Sequence, residues 1–322
     1  MKAIVQGKYG SPDVLERKEV DKPLIGDDDV LVRVHAASVN PYDWHMMRGR
    51  PYLARAQAGL LNPKDNIPGA DVAGRVEAVG GNVTQFQPGD EVFGEHRRTF
   101  ADYVCVPEEA IALKPANLTF EQAAAVPLAG ITALQGLRDS GQIRPGDTVL
   151  INGASGGVGT FGVQIAKSFG AEVTGVCSTR NVDMVRSIGA DHVIDYTRED
   201  FTKSGQSYDL IFDLVRSRSL SDCRRVMSPN GVYVLGGAAQ MGDWIGPLTM
   251  VLKVLLASRV GSQKMVPFLA KMRQEDLIVL KELIEAEKVT PVIDRTYPLR
   301  EVPEAIRYLE EGHARGKIII TV

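Results

Sequence analysis

Charge of one sign is the first thing this sequence lacks: 37 Lys and Arg stand against 40 Asp and Glu, a formal net charge of -3. Without a basic field nothing neutralises a phosphate backbone, so no nucleic-acid partner is expected. Cysteine is scarce as well, with Cys105, Cys177 and Cys223 far apart and odd in number. Such spacing offers neither a disulfide framework nor a metal cluster, and it fits a reducing cytoplasm. Long apolar runs are also missing. The longest, Leu248 to Ala257, is broken by Lys253 and is too short to cross a bilayer. The start, MKAIVQGKYG, reads as no targeting segment, so neither membrane nor leader is expected.

What is present is an ordinary globular composition, 44% hydrophobic and 24% charged, over 322 residues. That length suits roughly two domains, and two domains imply a cleft. As far as about Leu118, short alternating runs such as VLVRVHAASV (30–39), GRVEAVG (74–80), DEVFG (90–94) and ADYVCV (101–106) predict a mostly β domain. From about Ala123 strands alternate with helices, as in a parallel α/β sheet. The predicted strands are TVLING (148–153), AEVTGVC (171–177), DHVID (191–195), YDLIFDLV (208–215) and GVYVLGG (231–237). Helices are predicted over Gln274 to Lys288 and Glu301 to Glu311, followed by the strand-like KIIITV. Periodicity leaves open whether the segment from Met265 extends the α/β sheet or returns to the first domain.

The first predicted α/β strand runs into Gly153, Ala154, Ser155, Gly156, Gly157, Val158 and Gly159, and then into an apolar-faced helix. The spacing is A-x-G-x-x-G. Such a turn brings backbone N–H groups and the positive helix end to a pyrophosphate, while the last glycine permits close helix packing. With a strand before it and a second strand from Ala171, the turn predicts a dinucleotide site. Roughly 20 residues past the turn an acidic side chain would bind the ribose 2′-hydroxyl of NAD. Here Cys177, Ser178, Thr179 and Arg180 stand instead, and hydroxyls with a guanidinium suit a 2′-phosphate. NADP(H) is the expected cofactor.

SVNPYDWHMMRG (38–49), PGADVAGRVEAVG (68–80), PGDEVFG (88–94), ADYVCVP (101–107), AAAVPLAGITALQGL (123–137), GADHVIDY (189–196) and the final RTYPLREVPEAIRYLEEGHARGKIII (295–320) follow one another around that turn. In this order the chain resembles the medium-chain dehydrogenase/reductase superfamily, in its zinc-free quinone oxidoreductase branch, along nearly its whole length. The resemblance implies an α/β protein with a GroES-like β-barrel catalytic domain (1–123 and 265–322). It also implies a Rossmann doubly wound cofactor domain (124–264), a nicotinamide in the cleft, and commonly a homodimer. Where the zinc-dependent branch carries a cysteine ligand this chain has Asn40, and where that branch carries His-Glu it has Ala70-Asp71. The four-cysteine zinc loop is missing too. No metal is expected, and His35, His45 and His96 fit no familiar ligand set.

Without a Lewis acid to polarise a carbonyl, conjugated acceptors are the easier substrates. Hydride delivered to a quinone or to the β-carbon of an enone gives a delocalised enolate that needs only hydrogen-bond donors and a proton. The expected partner is a small hydrophobic acceptor. Asn40 is the candidate amide donor, Tyr52 the candidate hydroxyl donor with Tyr42 as competitor, and Asp43 a loop-orienting or acid residue. For the cofactor the resemblance adds Thr132, Tyr196, the strand end Gly236, Gly237 and Ala238, and the returning Arg315, Gly316 and Lys317. A metal-free carbonyl reductase and a low-turnover NADPH-binding protein are the alternatives.

Overall fold

In the computed structural model the described residues are 1–52, 55–236, 254 and 261–322, and they form two compact units. The first comprises Met1–Leu128, Met272–Glu285 and Pro291–Val322, and the second Ala129–Lys271 with Ala286–Thr290.

The first unit pairs β1 (Lys2–Gln6) with β2 (Leu15–Glu19), and its main sheet is built around the eleven-residue β3 (Asp29–Val39). β3 pairs antiparallel with β4 (Asp71–Val79), which continues through β5 (Glu91–Glu95) to β7 (Ile111–Leu113), and also with β6 (Tyr103–Pro107). Register shifts between Leu31 and Val32 and between Val34 and Ala36 bend β3 so that one strand serves several neighbours, as barrel closure requires. Val30, Val32, Val34, Val72, Val76, Val92, Val104 and Ile111 alternate inwards to make one buried cluster. The C-terminal strands β14 (Ile293–Pro298) and β15 (Lys317–Thr321) join this sheet, with β15 lying between β14 and β3. Ile318 and Ile320 pack with Val39, Met47, Val302 and Ile306 in a second cluster.

The second unit is a six-stranded sheet in the order β10-β9-β8-β11-β12-β13, parallel throughout. Its strands are β8 (Thr148–Asn152), β9 (Glu172–Cys177), β10 (His192–Asp195), β11 (Tyr208–Asp213), β12 (Met227–Leu235) and β13 (Lys264–Pro267). From β8 the chain winds first to one side and then, after β10, to the other. The topological switch point therefore falls between β8 and β11, where such sheets bind ligands beyond their strand ends. β13 moves the division expected at residue 265. KMVP pairs with β12, so the segment to Lys271 stays with the parallel sheet and the return begins at Met272.

Candidate active site

In the second unit the glycine turn is fixed by backbone geometry. The N–H groups of Gly153 and Ala154 both donate to the Val176 carbonyl, at 3.1 and 3.0 Å, anchoring the turn to the end of β9. Gly153 has φ +93°, a left-handed conformation that side chains resist. A Cβ at Gly159 would lie 2.1 Å from the Gly153 oxygen, so only glycine lets the helix Gly157–Ser168 start so close. At Gly156, by contrast, nothing stands nearer than 3.5 Å, and as N-cap it receives no side-chain cap. Open space above uncapped N–H groups at a helix N-terminus is a cradle for an anion, and a dinucleotide diphosphate fits it.

The neighbouring turns converge on this one. Asn181 is buried, and its amide donates to Ser155 Oγ at 3.0 Å and Ser178 Oγ at 3.2 Å, while its Oδ1 has no hydrogen-bond partner among the described residues. Arg180 is exposed beside it. The Tyr196 N–H donates to the Cys177 carbonyl at 3.0 Å, which brings the exposed Tyr196 to the end of β9. Asp195, whose approach the sequence did not signal, accepts from Thr179 Oγ1 at 2.5 Å and from Thr197. Beyond β11 the fully buried Asp213 accepts from Asn152 Nδ2 at 2.8 Å and from the Tyr233 hydroxyl at 2.7 Å. Burial, followed by the Asp213 charge, raises the Tyr233 hydroxyl pKa far above its ordinary value. Gly236 N–H donates to the Asp213 carbonyl at 3.0 Å. Thr132 is buried in the helix Pro127–Gln135. Gly237 and Ala238 lie outside the described residues.

In the first unit the site is a row of side chains across the sheet. Ser38, Asp71 and Glu95 stand opposite one another on β3, β4 and β5, and the β15 register sets Lys317 opposite Asn40. Asp71 Oδ2 accepts from Ser38 Oγ (2.5 Å), Asn40 Nδ2 (2.9 Å) and the Lys317 ammonium (3.2 Å), and its Oδ1 accepts from Leu128 N–H (2.9 Å). Lys317 Nζ also donates to Asn40 Oδ1 at 2.5 Å. These four side chains are at most 3% exposed. A buried ion pair with this many hydrogen bonds is the arrangement that offsets the cost of desolvating two charges. Asn40 also caps the helix Pro41–Arg48, its N–H donating to Asp43 Oδ2 at 2.7 Å in a reciprocal capping box.

Two expectations change here. The sequence presents Asn40 as an amide donor to the reacting centre, yet its Nδ2 donates to Asp71 and, at 3.4 Å, to the Ser38 carbonyl, so both hydrogens are committed. Lys317 was read as a cation over the cofactor, yet it is buried against Asn40 and Asp71. The two residues before it differ. Arg315 is exposed, its N–H on Asp294, and Gly316 sits at φ +108° where a Cβ would strike the Val292 carbonyl at 2.3 Å.

Burial pushes the Asp43 carboxyl up to about 7, helped by the Asp71 charge and opposed by the Asn40 N–H and Lys317. Burial also lifts the partly buried Glu95 to about 7, again with Asp71 raising it and Lys317 lowering it. Two carboxyls that hold a proton near neutrality thus flank one that does not lend its oxygens. Asp43 also lines a pocket with Tyr42, Tyr9, Met46, Met47, Gly69 and Arg97. Burial raises the Tyr42 hydroxyl as well, against the neighbouring Arg97 charge. Tyr52 packs elsewhere, its ring 4.7 Å from the Arg55 guanidinium and 6.0 Å from that of Arg50. Of the three histidines, His35 stacks on Phe120, His45 stacks on Trp44 with neither ring nitrogen hydrogen-bonded among the described residues, and His96 Nδ1 lies 3.0 Å from the Arg97 carbonyl. Among the described residues no three His, Cys, Asp or Glu side chains are grouped to hold a metal ion.

Comparison with known proteins bears on all of this. Residues 26–116 match the Alcohol dehydrogenase GroES-like domain family and residues 188–320 the Zinc-binding dehydrogenase family. The chain is 36% identical to the mitochondrial NAD(P)H oxidoreductase RTN4IP1 of Mus musculus, over 100% of this chain and 89% of that one. It is 35% identical to the 2-methylene-furan-3-one reductase of Solanum lycopersicum, over 99% of this chain and 79% of that one. The solved quinone oxidoreductase of Coxiella burnetii superposes with a TM-score of 0.87 at 31% identity, covering 100% of this chain and 99% of that one. The chain belongs to the medium-chain dehydrogenase/reductase superfamily, in its quinone oxidoreductase-like branch. As a member of that superfamily it has a GroES-like barrel in the first unit and a Rossmann sheet in the second. It departs from the wording of the second matched family at its own residues, since Ala70 offers no donor atom and Asn40 is committed to Asp71 and Lys317. No described helix is long and apolar enough to cross a membrane.

Proposed function

We propose that this chain is an NADPH-dependent reductase of quinones or of electron-poor C=C bonds, acting without zinc. The observation that carries the reading is the turn Gly153–Gly159, open above Gly156 and closed to any side chain at Gly159. Its relatives named NAD(P)H oxidoreductase and 2-methylene-furan-3-one reductase support it. The bound NADPH supplies the hydride. Ser178 and Arg180 receive its 2′-phosphate, with Tyr196 beside them, and the first-turn N–H groups of Gly157, Val158 and Gly159, framed by the turn Gly153 to Gly156, receive its diphosphate. Thr132, the β12 exit from Gly236 to Ala238, and Arg315 with Gly316 complete the assigned cofactor contacts.

In the barrel unit Asp71 and Lys317 hold Asn40 in one orientation, its Nδ2 donating to Asp71 and its Oδ1 accepting from the Lys317 ammonium. Asp43 and Glu95 are both raised to about 7, so each exchanges its proton around neutral pH, and a proton is what an enolate requires after hydride addition. Of the two tyrosines, the pocket favours Tyr42 beside Asp43 as hydroxyl donor, with Tyr52 as the alternative. The reading extends to a homodimer in a reducing compartment such as the cytoplasm, which the free thiols of Cys177 and Cys223 suit. The test is oxidation of NADPH and of NADH against a panel of quinones, enones, enals and saturated aldehydes. Preference for NADPH with conjugated acceptors is expected; preference for NADH or for saturated aldehydes would overturn it.

A further inference from the structure

The exit of β11 carries a residue that the local fold neither relaxes nor satisfies. Arg216 has φ +63°, a left-handed conformation that glycine adopts freely and an arginine does not. Its Nε and Nη1 are buried and have no hydrogen-bond partner among the described residues. A guanidinium gives up water only at considerable cost unless its donors are met, so this one calls for an acceptor that the described residues do not supply.

Its position says which acceptor. Asp213 Oδ1 accepts from the N–H groups of Val215 (3.1 Å) and Arg216 (2.8 Å), which fixes the turn. Asn152, the last residue of β8, bridges Asp213 Oδ1 at 2.8 Å and Ser217 Oγ at 3.3 Å. Gly153 approaches so closely that a Cβ there would lie 2.7 Å from Val215 Cγ2. The Arg216 turn is thus stapled to the phosphate turn across the switch point between β8 and β11. Ser178 and Arg180 follow β9, on the other side of β8. We infer that Arg216 is an anion ligand of the dinucleotide site, pairing with the diphosphate rather than with the 2′-phosphate. This rests on the dinucleotide reading above and assigns the diphosphate a side-chain partner besides the backbone cradle. A guanidinium fork matches phosphate oxygens bidentately.

The test is equilibrium titration of the full-length protein with NADPH and with NADH by calorimetry, for wild type, Arg216→Gln, Arg216→Gly and Arg180→Gln. Loss of one charge-assisted pair predicts that both Arg216 variants bind both dinucleotides about 10- to 100-fold more weakly. Arg180→Gln should weaken NADPH alone. Arg216→Gly should melt no lower than wild type, because its backbone conformation suits glycine, so its weaker binding cannot be put down to unfolding. Unchanged affinity of both Arg216 variants for both dinucleotides overturns the inference, as does a loss confined to NADPH. A wild-type protein that binds neither dinucleotide overturns the cofactor reading itself, and the assignment of Arg216 with it.

Discussion

Each unit is organised around one buried aspartate, and the two differ in how completely their surroundings are spent. Around Asp71 the account is closed: a serine, an amide, a backbone N–H and an ammonium take both oxygens, and the ammonium's other contact is the same amide. Around Asp213 the carboxylate is equally satisfied, yet the residue whose N–H it accepts carries guanidinium nitrogens that no described residue meets. A closed centre is a device for holding geometry, since any ligand would have to break an internal bond to join it. An open centre is a device for taking a ligand. Substitutions in the first should therefore cost stability, and substitutions in the second should cost affinity.

The largest expected effect follows from breaking the closed centre. Lys317→Met leaves the Asp71 carboxylate buried without its cation, a loss of about 3–5 kcal/mol for such pairs. Adding Asp71→Asn to Lys317→Met should recover part of that loss, because no uncompensated charge then remains. Thermal unfolding of the two variants checks this. If Lys317→Met melts at the wild-type temperature, the ion pair does not hold the barrel unit and the comparison fails at its first term.

The closed centre also imposes a pH dependence of definite sign. A carboxyl raised from 3.8 to about 7 binds its proton more tightly in the folded state. Its contribution is fully present below the unfolded value and is lost as pH rises through the folded one. Asp43→Asn keeps the acceptor for the Asn40 N–H and removes the titration. Wild type should therefore lose stability relative to Asp43→Asn between about pH 4 and 7, by as much as a few kcal/mol. Glu95→Gln should remove a smaller slope of the same sign. Melting temperatures across that range, compared between variant and wild type, decide it, and parallel curves for Asp43→Asn would show that the carboxyl stays ionised.

What could be read from the sequence was whatever a short stretch of chain decides alone. The glycine turn is local, because a left-handed residue and a close helix start leave their mark in residue type at fixed spacing. Asn40 and Asp43 sit three residues apart, and the strands β3 to β6 and β8 to β12 announce themselves by pattern. The Asp71–Lys317 pair left no such mark. Its members are 246 positions apart and meet only because β15 inserts beside β3 in one register. The sequence therefore presents Lys317 as a cofactor contact and Asn40 as an amide donor. β13 was missed because four residues, KMVP, with a proline among them, carry no period. Arg216 was invisible for another reason: neither its φ nor its unpaired nitrogens exist before the chain is folded.

The smallest expected effect on the fold, and the sharpest on selection, belongs to the open centre. Arg180 is exposed at the end of β9, next to Ser178 and Tyr196, so exchanging it should change stability by no more than about 0.5 kcal/mol. If its guanidinium meets the 2′-phosphate, Arg180→Gln should lower the ratio of kcat/KM for NADPH to that for NADH by about tenfold, with NADH kinetics unchanged. An equal fall with both cofactors would move Arg180 from selection to general binding, and no fall would leave Ser178 and the cradle to discriminate without it. Either result would sharpen the contrast. In a centre left open for a ligand, each side chain can be lost without the fold, and what is lost with it identifies the part of the ligand it was facing.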